Sequence, residues 1–384
     1  MTNMSIKELI KVTKQRYIKA RKLDKGKILD EFCLNTGYHR KYASTILQAA
    51  YDNNKVAKIG RKHRRKKYGP DLMIAIIKIW ELLEYPCGAR LKPSLIPMAE
   101  ALIRSKELKI NDELLKQLKS IGIRTLDRRL GKKRVELKLN RNRGTTRHSS
   151  LLKKEIPIRI TNWNTNEIGF MEMDTVAHNG GDPSGECVYS LDMVEICFGW
   201  SEQRATLGKG EKGVVSAIDD IRLTVPFKIT GLDSDGGSEF INWHTVKYCK
   251  EQEMFFTRSR PYMKNDNAYV EQKNYTHIRK WFGYGRYDTI EQVEMMNDLY
   301  QNELSLFNNF FRPVMKIESK EKVNNSVCKK KYDIAKTPYQ RIMESDQIEQ
   351  ETKDRLTKLY LSLNPVQLRK TIDEKIKNIR KTAK

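Results

Sequence analysis

Residues 226–240 read PFKITGLDSDGGSEF, and their pattern is the clearest indication of the fold class. An apolar strand pattern over residues 227–232 leads into acidic residues that end with Asp235. The stretch IGFMEMDTVAH has the same form, because an apolar pattern over residues 168–173 is followed by Asp174. A later segment, NDNAYVEQKN, is predicted to be helical and carries Glu271. Two strand-end aspartates and a helix-borne glutamate can meet at one edge of an α/β sheet.

The neighbouring segments predict the rest of this sheet. ECVYSLDMVEICFGW, SEQRAT and EMFFTRS have strand patterns, and KGVVSAIDDIRLTV has the period of an amphipathic helix. SEFINWHTVKYCKEQ is predicted to be a helix with Ser238 as its N-cap. The resulting order β-β-β-α-β-α-β-α predicts a five-stranded mixed sheet with flanking helices.

Charge divides the chain into two parts. Of the 73 Lys and Arg and 48 Asp and Glu residues, 40 and 15 lie in residues 1–160, which leaves 33 of each for the remainder. A basic protein without a nucleic-acid partner would spread its excess charge. The asymmetry indicates a nucleic-acid-binding front part joined to a different module.

Two helix-turn-helix units are predicted in the front part. In the first, an apolar helix face at residues 28–32 precedes a turn at residues 34–37, and a helix then begins near Tyr38. The second has a turn at residues 120–122 before the basic segment IRTLDRRLGKKR. A plain helical hairpin ending in Gly has a similar pattern, but the charge favours DNA binding.

The carboxylates suit hard divalent cations, because Mg²⁺ prefers oxygen ligands and is often held by a few carboxylates together with substrate phosphates. Taken singly, each acid is better explained as a structural residue, such as a cap or turn former. Residues 161–203, however, contain eight acidic residues and no Lys or Arg, which is a concentration of like charge that a cation would relieve.

These segments resemble the DDE integrase-core family of retroviral integrases and bacterial insertion-sequence transposases. The family has an Asp after the first strand, an SDNGxEF-like block and a helical Glu, and the matching segments here are MEMDTV, SDGGSEF and RPYMKNDNAYVEQKN. Thirty-five residues lie between Asp235 and Glu271, as in integrases. The match covers roughly residues 165–285, and GYHRKYA and KTPYQRIMES extend it towards bacterial transposases. Gly236 replaces the usual Asn, which is not a metal ligand in the family.

The resemblance implies a ribonuclease H-like core whose catalytic and metal-binding residues are Asp174, Asp235 and Glu271, with two Mg²⁺ (or Mn²⁺) ions as cofactor. It selects these acids over Glu172, Asp192, Asp233 and Glu239, which local chemistry alone does not exclude. It further implies a DNA transposase that binds element ends, frees 3′-OH ends and joins them to target DNA as a homo-oligomer. We expect no membrane span or export signal, reduced cysteines and a location with the bacterial nucleoid in the cytoplasm.

The expected DNA-contact residues are basic side chains of the two helix-turn-helix units, of the run RKHRRKKYG and of the segment around Glu271. They are His39, Arg40, Lys41, Arg61, Arg64, Arg65, Lys66, Arg124, Arg128, Arg129, Lys264 and Lys273. Near Glu271, a solvated helix face explains Lys264, Lys273 and Asn274 equally well.

The expected domain organisation follows from these segments. It comprises a helix-turn-helix domain (1–69), a second helical domain (70–145), a basic linker (146–164), the ribonuclease H-like core (165–285) and a mainly helical C-terminal region (286–384).

Two other functions remain open. The chain is alternatively a non-catalytic DNA-binding regulator or decayed transposase, or a metal-dependent nuclease of the same fold. Residues 310–384 are compatible with contact to DNA or to another copy of the chain.

Overall fold

The computed structural model describes residues 3–48, 68–137, 167–235, 237, 239–259, 268–324 and 327–384. The chain divides into two compact units, residues 1–67 and residues 68–384. Among the residues described, no helix is both long enough and apolar enough to cross a membrane.

The first unit is a three-helix module. Its helices are α1 (Asn3–Lys19), α2 (Lys22–Thr36) and α3 (Arg40–Gln48). Tyr17, Phe32 and Leu47 belong to its buried core. Gly37 ends α2 in the left-handed conformation (φ 71°), with its N–H donating to the Cys33 carbonyl, a backbone geometry that glycine adopts without strain. The predicted order of helix, glycine turn and helix is therefore present.

The second unit begins with four helices: α4 (Pro70–Leu82), α5 (Gly88–Arg104), α6 (Asp112–Ser120) and α7 (Ile123–Glu136). The side chain of Asn111 caps α6 by accepting from the Leu114 N–H. Ile121 and Gly122 form the short turn between α6 and α7, so the second predicted helix-turn-helix order is also present.

A five-stranded sheet follows. Its elements are β1 (Phe170–Ala177), β2 (Val188–Glu195), β3 (Ser201–Leu207), α8 (Glu211–Thr224), β4 (Gly231–Ser234), α9 (Trp243–Glu251) and β5 (Phe255–Arg258). The strand order is β3-β2-β1-β4-β5. β1 runs antiparallel to β2 and parallel to β4, while β2 and β3 are antiparallel and β4 and β5 are parallel. This is the mixed sheet of the ribonuclease H-like fold, and the prediction of this fold class is confirmed.

Helices and one β-hairpin complete the second unit. After the sheet come α10 (Ala268–Lys273), a π-helical segment (Asn274–Arg279), α11 (Lys280–Phe282), α12 (Ile290–Leu299), a second π-helical segment (Tyr300–Leu304), α13 (Ser305–Phe310), β6 (Ile317–Asn324), β7 (Val327–Tyr332), α14 (Pro338–Glu344), α15 (Gln350–Ser362) and α16 (Pro365–Lys381). One hydrophobic core runs from α4 through the sheet to α16. The C-terminal helices therefore pack on the same core as the sheet.

Three local features differ from the sequence-based expectations. Asp174 lies within β1 rather than after it. Asn242, not Ser238, caps α9, because its side chain accepts from the Thr245 N–H. The antiparallel hairpin of β6 and β7 interrupts a region that was expected to be mainly helical.

Candidate active site

Two of the three expected carboxylates are brought together by the sheet. β1 and β4 are parallel, and their register pairs Glu172 with Asp233 and Met173 with Ser234. The next residues along the two strands are Asp174 and Asp235. Paired residues of neighbouring strands point to the same face, so these two aspartates are neighbours at the carboxyl end of β4.

The electrostatics of Asp174 confirm this proximity. Burial and the adjacent Asp235 carboxylate raise the pKa of Asp174 to about 8, and Asp192, which faces Asp174 across β1 and β2, adds to the effect. The Asn274 amide and the Thr175 backbone N–H donate to the Asp174 carboxylate over 2.6 and 2.7 Å. These two hydrogen bonds lower the pKa but do not outweigh the burial and the repulsion.

The loop after β4 holds Asp235 by a short local contact. The backbone N–H of Gly237 donates to Asp235 Oδ1 over 2.9 Å. A Cβ at position 237 would lie 2.9 Å from that oxygen and 2.8 Å from the Glu239 carboxyl group. A side chain at this position would therefore force the Asp235 and Glu239 carboxyl groups to move.

Glu271 lies on α10, whose first turn is fixed to β1. The Tyr269 and Val270 N–H groups donate to Glu172 Oε2 over 2.9 and 3.1 Å. Glu271 itself is exposed. It precedes by three residues Asn274, whose amide contacts Asp174, and residues three apart are neighbours on a helix surface. Glu271 therefore lies next to Asn274 on the helix surface.

The other acids of this region have structural partners. Glu172 receives the α10 N–H groups, Asp233 accepts from Thr257 Oγ1, and Asp192 accepts from Gln203 Nε2 over 2.9 Å. Glu239 accepts from Thr175 Oγ1 over 2.9 Å and from Lys209 Nζ over 3.2 Å. These contacts give each of the four acids a role in holding the strands and the loop together.

The aspartate pair fits a divalent cation. A cation beside Asp174 and Asp235 would relieve the repulsion that raises the pKa of Asp174. Carboxylate oxygens are also the ligand type that Mg²⁺ and Mn²⁺ accept. Within the described ranges, no three His, Cys, Asp or Glu side chains converge closely enough to form a complete metal site. The structure thus brings Asp174 and Asp235 together and leaves Glu271 on the adjoining helix surface.

The expected DNA-contact residues differ in their surroundings. His39, Arg40 and Lys41 are exposed at the start of α3, where Arg40 forms an ion pair with Asp30. Five others, namely Arg61, Arg64, Arg65, Lys66 and Lys264, lie outside the described residues.

The three expected DNA-contact arginines of α7 differ in their exposure to solvent. Arg124 and Arg128 are exposed and stand four residues apart, so they share one helix face. Arg129 is half-buried and donates to the Tyr68 carbonyl over 3.4 Å. Arg134 donates to the Pro86 carbonyl and stacks over the Trp80 ring.

The prediction that Lys273 contacts DNA is wrong. Its side chain is buried, and its Nζ donates to the Gly199 carbonyl over 3.2 Å. The apolar and basic residues around it gave no indication in the sequence that its ammonium group points inward. The link between Asn274 and Asp174 was also not foreseen, although the position of Asn274 within NDNAYVEQKN marks it as a residue of the site.

The strand order and the flanking helices define a protein with a ribonuclease H-like, integrase-like core. No family model matches the chain. The uncharacterized protein y4rM of Sinorhizobium fredii (strain NBRC 101917 / NGR234) is 34% identical over 324 residues, which cover 84% of this chain and 91% of that protein. The chain belongs to the family of y4rM.

Two solved structures are similar to part of the chain. A chain of the simian T-cell lymphotropic virus intasome in complex with PP2A regulatory subunit B56 gamma is 12% identical, with a TM-score of 0.35, over 51% of this chain and 61% of that chain. The catalytic core domain of BIV integrase is 16% identical, with a TM-score of 0.31, over 50% of this chain and 98% of that chain.

Proposed function

We propose that this protein is a DNA transposase that cleaves phosphodiesters at element ends and joins the freed 3′-OH ends to target DNA. The observation that carries the proposal is the pairing of Asp174 with Asp235, together with the hydrogen bond from Asn274 that ties the Glu271 helix to Asp174. The integrase-type motifs that contain all three acids support it.

Asp174, Asp235 and Glu271 would hold Mg²⁺ or Mn²⁺. When bound, a pair of such ions activates an attacking oxygen and stabilises the leaving one during phosphoryl transfer. Asn274 orients the Asp174 carboxylate through its amide, and the Gly237 N–H orients Asp235. The proposal requires no Ser or Tyr nucleophile, because water and then the DNA 3′-OH are the attacking groups.

The basic front part supports double-stranded DNA as the partner. Residues 1–160 carry the entire charge excess of the chain, and such a surface attracts phosphates. Exposed Arg124 and Arg128 on α7, and exposed residues at the start of α3, are placed as recognition-helix residues would be. Joining two element ends to one target would require a homo-oligomer, and this substrate would place the protein at the nucleoid.

The proposal is tested by an assay with labelled DNA that carries the ends of the encoding element, with and without Mg²⁺ or Mn²⁺. Wild type should yield metal-dependent cleaved and joined products. Glu271→Gln should lose both products while it still binds the ends in a gel-shift measurement. The matched control is Glu294→Gln, because Glu294 is an exposed glutamate on α12 and this change should leave both products intact.

The same assay separates the other candidate functions. Cleaved ends without joined product would indicate a nuclease. Specific end binding without cleavage by wild type, in the presence of host extract, would indicate a regulator or a decayed transposase.

A further inference from the structure

Lys273 is a buried cation two residues from Glu271, and the proposed reaction gives it no role. Its exposed fraction is 8%, and its ammonium group donates to the Gly199 carbonyl in the turn between β2 and β3. Burying an ammonium group is costly unless it is paired. A fixed role in the site is therefore more consistent with its position than a contact with DNA.

Asp192 supplies the opposite charge. It is fully buried in β2, and this burial raises the pKa of Asp192 to about 7, while the Gln203 hydrogen bond and the Lys273 charge oppose the rise. Gln203 occupies Asp192 Oδ1, while Oδ2 has no hydrogen-bond partner.

Lys273 also has a defined geometric relation to Glu271. Residues two apart in an α-helix are about 200° apart around its axis. Because Lys273 points to Gly199, Glu271 points away from the β2–β3 turn, and it is exposed. The helix changes from α to π geometry directly after Lys273, a change that is frequent at functional sites.

Three contacts hold this helix on the sheet. Glu172 fixes the N–H groups of its first turn, Asn274 reaches Asp174, and Lys273 reaches the β2–β3 turn. The Glu172 contact binds backbone N–H groups at the start of the helix, and the Asn274 contact lies in the π-helical segment that follows α10. Within α10 itself, Lys273 makes a side-chain hydrogen bond, and the buried Val270 adds an apolar contact.

We propose that Lys273 is a positioning residue, whose hydrogen bond to the Gly199 carbonyl fixes the rotation of α10 and thereby aims the Glu271 carboxylate at Asp174 and Asp235. This inference rests on the proposed function, in which Glu271 is a metal ligand.

The test compares Lys273→Met with Lys370→Met, a matched change of an exposed lysine on α16. Binding of Mn²⁺ alone is measured by electron paramagnetic resonance, and end cleavage is measured in single turnover at saturating DNA. We expect Lys273→Met to bind Mn²⁺ at least about tenfold more weakly, like Glu271→Gln, and to cleave about 100-fold more slowly. Its affinity for DNA ends should stay within about twofold of wild type.

The Mn²⁺ measurement separates positioning from simple electrostatics. Removing a positive charge near carboxylates should by itself tighten cation binding, so tighter Mn²⁺ binding by Lys273→Met would overturn the proposal. If Lys273 instead contacts DNA, Lys273→Met should bind the ends more weakly. The slope of its log affinity against log salt concentration should fall by about 1, and its cleavage rate at saturating DNA should be unchanged. That result would also overturn it.

Lys273→Met combined with Asp192→Asn guards against a folding defect, because it removes both charges of the buried pair. We expect this double variant to regain the wild-type free energy of unfolding while Mn²⁺ binding stays weak. Recovery of wild-type Mn²⁺ affinity would show that Lys273 merely neutralises Asp192, which contradicts positioning.

Hydrogen exchange of residues 268–282 tests the anchoring without any activity. Exchange should rise there in Lys273→Met and not in β1–β3. If wild type binds no Mn²⁺ and cleaves no DNA, the proposed function fails, and the exchange measurement still decides whether Lys273 anchors the helix. Unchanged exchange in residues 268–282 would refute the anchoring.

Discussion

Replacing Asp174 with Asn should stabilise the metal-free protein at the same time as it abolishes cleavage. Burial and the Asp235 charge raise the pKa of Asp174 from 3.8 to about 8. The folded chain therefore binds a proton at Asp174 more tightly than the unfolded chain does. An amide in this place avoids the buried charge and can still accept the hydrogen bond from Asn274.

The size of the stabilisation by Asp174→Asn follows from the raised pKa of Asp174. A change of about four pKa units corresponds to about 6 kcal/mol in full, which we reduce to roughly 2–3 kcal/mol because the Asp174 side chain is partly exposed and solvent-screened. The folded pKa of this acid is raised, so its destabilising effect is absent below about pH 4 and grows as pH rises to about 8. The stability difference between Asp174→Asn and wild type should follow this course.

The assay is urea unfolding of metal-free protein at pH 4, 6 and 8, repeated with Mn²⁺. Mn²⁺ at 100 times its dissociation constant should stabilise wild type by about 2.7 kcal/mol and should have little effect on Asp174→Asn. Asp219→Asn is the opposite-sign control, because its Tyr248 hydrogen bond and Arg222 ion pair lower the pKa of Asp219. Destabilisation by Asp174→Asn at pH 8, or equal stabilisation of both proteins by Mn²⁺, would refute the reasoning.

Three further changes have defined outcomes. Gly237→Ala forces a Cβ to 2.8 Å from the Glu239 carboxyl group, so we expect a loss of about 1–3 kcal/mol in unfolding free energy and weaker Mn²⁺ binding; unchanged values in urea and Mn²⁺ titrations would contradict this. Glu84→Gln removes the carboxylate partner of three cations, with one ion pair at 2.9 Å. It should lower the free energy of unfolding in urea by about 3–5 kcal/mol. A loss below about 1 kcal/mol would mean that these ion pairs contribute no more than exposed ones do. Burial lowers the pKa of His178 to about 3, so the unfolded chain gains its proton first as pH falls below about 6.5, and stability is lost from there down to about pH 3. His178→Gln should flatten this acid slope by up to about 1.4 kcal/mol per pH unit, and an unchanged slope in urea unfolding would argue against it.

Much of the core could be predicted from the sequence, because the pattern that marks each element lies within a few residues. The apolar run before Asp174 correctly predicts β1, and the turn at Gly37 correctly predicts the break between α2 and α3. The run at residues 227–232 predicts a strand before Asp235, but the observed strand β4 is shorter and shifted to Gly231–Ser234. Buried strands need apolar residues on their faces, and helix ends favour glycine, so both leave a signal within a few residues.

Other features depend on partners that are distant in sequence. The inward direction of Lys273 depends on Gly199, 74 residues earlier, and the tie between Asn274 and Asp174 spans 100 residues. The β6–β7 hairpin has a charged sequence, IESKEKVN followed by VCKKKY, without the apolar alternation that marks a half-buried strand. These features therefore required the tertiary structure.

The most direct test of the central claim is end cleavage by Asp235→Cys in Mg²⁺ and in Mn²⁺. A thiolate is a poor ligand for Mg²⁺ and a better one for Mn²⁺. If Asp235 binds the catalytic ion, the variant should lose cleavage in Mg²⁺ and recover at least about tenfold in Mn²⁺ relative to wild type under the same conditions. Cleavage in Mg²⁺ at the wild-type rate, or equal loss in both metals with DNA binding intact, would contradict metal ligation by this residue.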